Sequence, residues 1–182
     1  AVPSISQDEI NEVVRVLKSR WLTMGPEVIK FEENFAKFYG VKNAIAVNSG
    51  TSGLHLCIKA LNIKAGDEVI TTPFSFVASS NPIIFEGGKP VFVDIDEKTY
   101  NIEPKKLRKA ITKKTKAILL VHLFGLPCDM EEITKISEER DIPIVEDACE
   151  AVGATYNGRK AGTFAKAAVL AFYPNKQMTT GE

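Results

Sequence analysis

The sequence predicts an α/β protein: a mostly parallel sheet with helices on both faces. Three observations predict it. Short apolar runs rich in β-branched residues alternate with segments of helical period along the chain. The runs are apolar almost throughout, as strands covered on both faces should be. Turn-forming pairs such as Gly66-Asp67 and Gly87-Gly88, with Gly158 further on, punctuate the alternation.

Each element has its own justification. Ser6-Gln7-Asp8-Glu9 is a capping box, and Ile10, Val13, Val14 and Leu17 follow at helical spacing, so a helix should run to about Ser19. Gly25-Pro26 starts a second helix with Pro in its first turn. Phe31, Phe35 and Phe38 line one face of it, and Gly40 ends it. The expected strands are Ala44–Val47, Glu68–Thr72, Pro90–Val93, Ala117–Val121, Ile142–Val145 and Ala167–Phe172. The expected helices between them are Ser52–Leu61, Phe76–Phe85, Pro104–Ile111 and Met130–Arg140. Internal repeats, linkers and low-complexity segments are not evident.

Bulk properties narrow the function classes. A chain of 182 residues can bury one sizeable core. Its 23 basic and 23 acidic residues cancel, so net charge offers nothing to nucleic acid or an anionic membrane. Cys57, Cys128 and Cys149 are too far apart for a CxxC pair, and with His55 and His122 they do not make a zinc site, so no metal is expected. Free thiols fit a reducing cytoplasm. No apolar run has transmembrane length, and Ala1-Val2-Pro3-Ser4 does not read as a signal peptide. The absence of an initial methionine suggests a processed or lost natural N-terminus.

In open α/β sheets, ligands bind at the carboxyl ends of the strands. That rule selects Asn48–Ser52, Thr72–Phe76, His122, Asp147 and Lys176, which should converge on one edge. Asn48-Ser49-Gly50-Thr51-Ser52-Gly53 joins a strand to a helix, either as a phosphate cradle or as an ordinary capped helix start. It is neither a Walker loop nor a GxGxxG turn. Asp147, flanked by Glu146 and Glu150, reads as a helix N-cap or as a ligand-facing acid. Lys176 by itself would be a surface lysine. Phe172, Tyr173 and Pro174 give it an apolar setting that would favour the neutral, nucleophilic amine. Phe74 and Phe76 read as core, with Phe76 alternatively lying over a planar ring. His55 is expected to pack within its helix. The run Lys105–Lys109, continued by Lys113, Lys114 and Lys116, is best read as a solvated helix face rather than a nucleic-acid patch.

A strand-end acid and a lysine beyond the next strand suit pyridoxal 5′-phosphate (PLP). Its aldehyde needs an amine for a Schiff base, and its pyridine nitrogen needs a carboxylate.

Taken together, the segments resemble the DegT/DnrJ/EryC1/StrS family of PLP-dependent sugar aminotransferases over essentially the whole chain. The segments are Trp21–Pro26, Asn48–Ser52, Gly66–Pro73, Pro90–Asp96, Val121–Gly125, Glu146–Ala148 and Phe172–Glu182. The resemblance implies a fold type I PLP enzyme acting as a homodimer with shared active sites. It implies that Lys176 forms the Schiff base and shuttles protons, and that Asp147 pairs with the pyridine nitrogen. It also implies that Gly50, Thr51 and Ser52 hold the phosphate and Phe76 stacks on the ring. Glu150 stands where many members have glutamine beside the cofactor, which changes the hydrogen bonding at the ring. Ala171 stands where many have a serine at the phosphate site, so other donors must substitute.

Family members are about twice as long, with a smaller C-terminal domain. Residues 1–182 are therefore expected to be the large PLP-binding domain, entered through an N-terminal segment 1–24, with the small domain absent. The implied reaction is amino transfer, with glutamate as donor, to a nucleotide-linked keto sugar. Alternatives are a cyclitol (inosose-type) aminotransferase, a sugar dehydratase, or a non-catalytic regulatory or binding module. The resemblance implies that the dehydratase branch has histidine in place of the lysine, so Lys176 argues against it.

Overall fold

The structure, a computed structural model, describes residues 2–181. It begins with two helices, α1 (Gln7–Ser19) and α2 (Pro26–Tyr39). The predicted capping box forms at Ser6: its backbone N–H donates to Glu9 Oε2 at 2.6 Å, and its hydroxyl caps the first turn. Arg20 and Gly40 close the two helices in the left-handed conformation. No residue of α1 is buried, and Ile10, Val13, Val14 and Leu17 lie exposed along it.

The core is a five-stranded, fully parallel sheet. Its main strands are β1 (Glu68–Thr71), β2 (Lys89–Phe92), β3 (Thr115–Val121) and β4 (Ile144–Asp147). Strands β5 (Thr155–Tyr156) and β6 (Arg159–Lys160) form a separate two-residue hairpin around Asn157-Gly158. β7 (Ala167–Val169) completes the main sheet, whose order is β2-β1-β3-β4-β7.

The helices divide between the two faces. On one side, α3 (Gly50–Ala60) and α4 (Asn81–Phe85) place Leu54, Ile58 and Ile83 against Ala117, Leu119 and Val121. On the other, α5 (Pro104–Ala110) and α6 (Met130–Arg140) place Leu107, Ile133 and Ile136 against Ile118 and Leu120. The period-two alternation of β3 thus feeds both cores. Covering both faces makes the near-continuous apolar strands soluble.

Three expectations need correction. Ala44–Val47 forms no strand; the Ala46 N–H donates to the Glu32 carboxylate at 2.7 Å instead of to a ladder carbonyl. The expected helix Phe76–Phe85 is broken into a 3-10 turn (Val77–Ser79) and α4, because Pro82 has no N–H to continue the helical bonding. The strand expected to reach Phe172 stops at Val169. β7 pairs only with β4, whose ladder ends at Asp147, so the chain has no partner beyond that register.

The lysine run behaves as a helix surface. Leu107 is buried, Lys106 pairs with Asp94 at 3.2 Å and Glu103 at 3.0 Å, and Arg108 pairs with Glu139. Among the described residues, no helix is long and apolar enough to cross a membrane.

Candidate functional site

Of the positions expected at the carboxyl edge of the sheet, the start of α3, Asp147 and the Lys176 loop are neighbours, linked through Cys149 and Glu150, whereas His122 is not among them. α3 starts at Ser49, whose hydroxyl accepts the Ser52 N–H at 3.1 Å and donates to Ser52 Oγ at 3.0 Å. Helix and sheet approach closely here. A Cβ on Gly53 would lie 2.9 Å from Val169 Cγ1, and one on Gly50 would meet Ala171 Cβ and Cys149 Sγ, each at 3.3 Å. Glycine and alanine therefore bring the first turn of α3 against the segment that follows β7. Thr51 is exposed and Ser52 half-buried at this helix N-terminus, where unpaired N–H groups and the dipole favour an anion.

Asp147 ends β4 and is buried. Its Oδ2 accepts the Ser79 hydroxyl at 2.9 Å, and its Oδ1 accepts the Cys149 N–H at 3.2 Å. With the Ser79 proton committed to Asp147, Ser75 donates to Ser79 at 2.8 Å. This relay ties the loop after β1 to the acid that ends β4. Sequence reasoning missed Ser79. The i, i+4 spacing of Ser75 and Ser79 was visible, but not their contact with an acid on another strand.

Lys176 lies in a loop closed by the Thr180 N–H donating to the Phe172 carbonyl at 3.1 Å. Phe172 sits edge-on against Phe31 (5.5 Å) and Phe35 (5.9 Å), so α2 anchors the root of the lysine loop. Phe35 stacks on Tyr39 at 4.6 Å, and the Tyr39 hydroxyl accepts the Gly153 N–H at 3.0 Å. Phe38 departs from the expected aromatic face: it is exposed beneath the Lys160 ammonium, 4.7 Å from its ring centre.

The Lys176 Nζ is only 3.3 Å from Glu150 Oε1. Glu150 Oε2 accepts the Phe124 N–H at 2.9 Å. Phe76 is exposed at the same edge, at the start of the 3-10 turn.

Not every expected residue faces the site. His122 directly follows β3, and its ring is fully buried in the interior. Its Nδ1 accepts the Cys128 N–H at 3.0 Å, which fixes the neutral tautomer with Nε2–H donating to Glu146 Oε2 at 2.9 Å. Glu146 lies on the opposite face of β4 from Asp147. It also accepts the N–H groups of Gly162 (2.6 Å), Phe164 (2.7 Å) and Ala165 (2.8 Å). His55, expected to pack within its helix, instead donates its Nε2–H to Glu86 Oε1 at 2.7 Å and meets the edge of Phe85.

All three cysteines are free. Burial pushes the Cys128 thiol up to about 12, with the nearby Glu146 charge adding to it. Burial also pushes Cys149 strongly up, reinforced by the Asp147 carboxylate, and raises Cys57. Thiolate is the nucleophile. At pH 8 the folded protein is therefore expected to leave Cys128 and Cys149 unalkylated by iodoacetamide, while the urea-unfolded chain reacts at all three. Rapid mass-tagging of Cys149 in the folded state would contradict this.

Comparison with known proteins gives a consistent picture. The model of the DegT/DnrJ/EryC1/StrS aminotransferase family matches residues 3–182. The chain is 53% identical over 180 residues to the uncharacterized protein MJ1066 of Methanocaldococcus jannaschii, covering 99% of this chain and 47% of that protein. It is 42% identical over 183 residues to a GDP-perosamine synthase of Caulobacter vibrioides, covering 100% of this chain and 49% of that one. The solved E. coli GDP-4-keto-6-deoxy-D-mannose-3-dehydratase with bound hydrated PLP superposes with a TM-score of 0.94 at 38% identity, covering 100% of this chain and 49% of that one. The chain spans about half the length of the curated relatives it matches.

Proposed function

The chain belongs to the DegT/DnrJ/EryC1/StrS aminotransferase family, and on that premise we propose that it is the PLP-binding part of an aminotransferase acting on a nucleotide-linked keto sugar, with glutamate as the amino donor. The observation that supports this reading is that Asp147, the α3 N-terminus beside Cys149, and the Lys176 amine paired with Glu150 lie near one another at one sheet edge. A buried carboxylate, an amine and a helix start lined with hydroxyls are the donor set that PLP requires. The GDP-perosamine synthase relative and the PLP-bound dehydratase support the substrate and cofactor classes.

When bound, PLP supplies an aldehyde for Schiff-base chemistry and a protonated ring that accepts electrons from the substrate carbon. Lys176 Nζ provides the amine and moves the proton at the reacting carbon. Asp147 keeps the ring nitrogen protonated, and Ser79 orients Asp147. Gly50, Thr51 and Ser52 hold the phosphate through N–H and O–H donors, with Ala171 leaving room for the turn. Phe76 would cover a ring face, and Glu150 would hydrogen-bond at the ring edge. Residues 1–182 are read as the large domain, entered through the segment 1–24, of a cytoplasmic homodimer. Lysine at position 176 favours amino transfer over dehydration.

The test is to add PLP, record the visible spectrum, reduce with borohydride and map the peptides. A yellow protein with the reduced adduct on Lys176 is the expected result. A folded protein with no adduct there overturns the enzyme reading, and retention of DNA at physiological salt without PLP would then favour a binding module. Glutamate should discharge the colour of the loaded protein. A product made from an inosose but not from keto sugars would replace the sugar substrate with a cyclitol.

A further inference from the structure

Glu150 joins the loops that follow three different strands. One carboxylate oxygen holds the Lys176 ammonium at 3.3 Å, after β7. The other accepts the Phe124 N–H at 2.9 Å, after β3. Its backbone carbonyl accepts the Gln177 side-chain amide, and a Cβ on Gly125 would come within 3.2 Å of that same oxygen. Phe124 needs such support. It sits at φ 52°, a conformation that bulky residues rarely adopt, and Gly125 follows at φ 86°. The Lys176 side chain is largely shielded, at 18% exposure, so its ammonium has few alternative partners in water.

We propose that Glu150 is a positioning residue for Lys176. It holds the amine at the sheet edge before any cofactor arrives and ties the lysine loop to the Phe124 turn. The inference rests on the reading of Lys176 as the PLP-bearing lysine, and it adds a role for Glu150 that does not involve contact with the ring. Glutamate serves here because one side chain must accept from an ammonium and from an N–H at once, and a carboxylate has two oxygens for the purpose.

The test compares wild type, Glu150→Gln and Glu150→Leu, each stripped of PLP and matched for urea midpoint. Lys176 labelling by trinitrobenzenesulfonate is read by peptide mapping at fixed pH, and Phe124 amide exchange by NMR or mass spectrometry. In Glu150→Leu, labelling should rise roughly 2- to 5-fold, the loss of one partly shielded ion pair, and Phe124 exchange should quicken about tenfold. In Glu150→Gln, labelling should rise as well, while the amide oxygen keeps Phe124 protected. This separation of Gln from Leu is a signature that general loosening would not give.

Wild-type labelling in both variants would overturn the proposal. Should Glu150→Leu fail to fold, unchanged labelling in Glu150→Gln alone overturns it, and raised labelling with retained Phe124 protection supports it. Absence of a PLP adduct in wild type would refute the enzyme reading separately, since the labelling comparison uses no cofactor.

Discussion

Lys176→Ala is expected to fold as wild type and to lose covalent PLP, with turnover falling on the order of 10⁴-fold. The side chain contributes little to the fold. Its ion pair with Glu150 is partly exposed, and such pairs are worth at most about 1 kcal/mol. The loop that carries it is held by other means: Phe172 against α2, and the Thr180 N–H on the Phe172 carbonyl. Loss of chemistry without loss of structure separates the reacting group from its scaffold. The checks are the borohydride trap, single-turnover kinetics with glutamate, and a urea melt. Turnover near the wild-type rate, or an adduct that moves to another lysine with activity retained, would refute the assignment.

Glu146→Ala is expected to be the most damaging single change to stability, costing about 3–5 kcal/mol. The reason is the number of donors left behind. His122 Nε2–H and the N–H groups of Gly162, Phe164 and Ala165 all end on this one carboxylate, which is fully buried. Alanine leaves them without an acceptor and water cannot easily replace it. The thermal midpoint should fall by roughly 6–20 °C for a chain of this size. Glu146→Gln should be intermediate, because its amide nitrogen would face two of the donors. Urea unfolding gives the number, and a loss under about 1 kcal/mol would show that the network is not cooperative.

Much of this arrangement was legible because it is local. The Ser6 capping box, the Gly25-Pro26 start, the Gly40 stop and the Met130–Arg140 helix follow from near neighbours in the chain. The strand-end rule pointed to Ser52, Asp147 and Lys176, whose neighbourhoods are linked through Cys149 and Glu150. What was not legible depends on partners distant in sequence. Ala44–Val47 has strand composition, but the Glu32 carboxylate takes one of its amides. Ser79 has no motif of its own, and Phe124, though within the Val121–Gly125 segment, carries no sign of its partner; they matter through Asp147 and Glu150. Position picked out His122, but the bond from the Cys128 amide turns its ring into the interior. Glu146 looked like a neighbour of the important acid, and its burial gives it the larger structural role.

The two faces of β4 have a consequence for how this protein can change over time. Glu146 and Asp147 are neighbours in the chain, yet a pleated strand points them into different compartments: one anchors the segment before β7, the other meets Ser79 at the sheet edge. Each position can therefore vary under its own selective constraint. Phase, however, is shared. An insertion or deletion of one residue within β4 would exchange the compartments, putting the longer acid where the shorter one belongs and leaving the anchor out of reach. Substitutions at this strand can be absorbed one at a time, but a single-codon slip would remove scaffold and chemistry together.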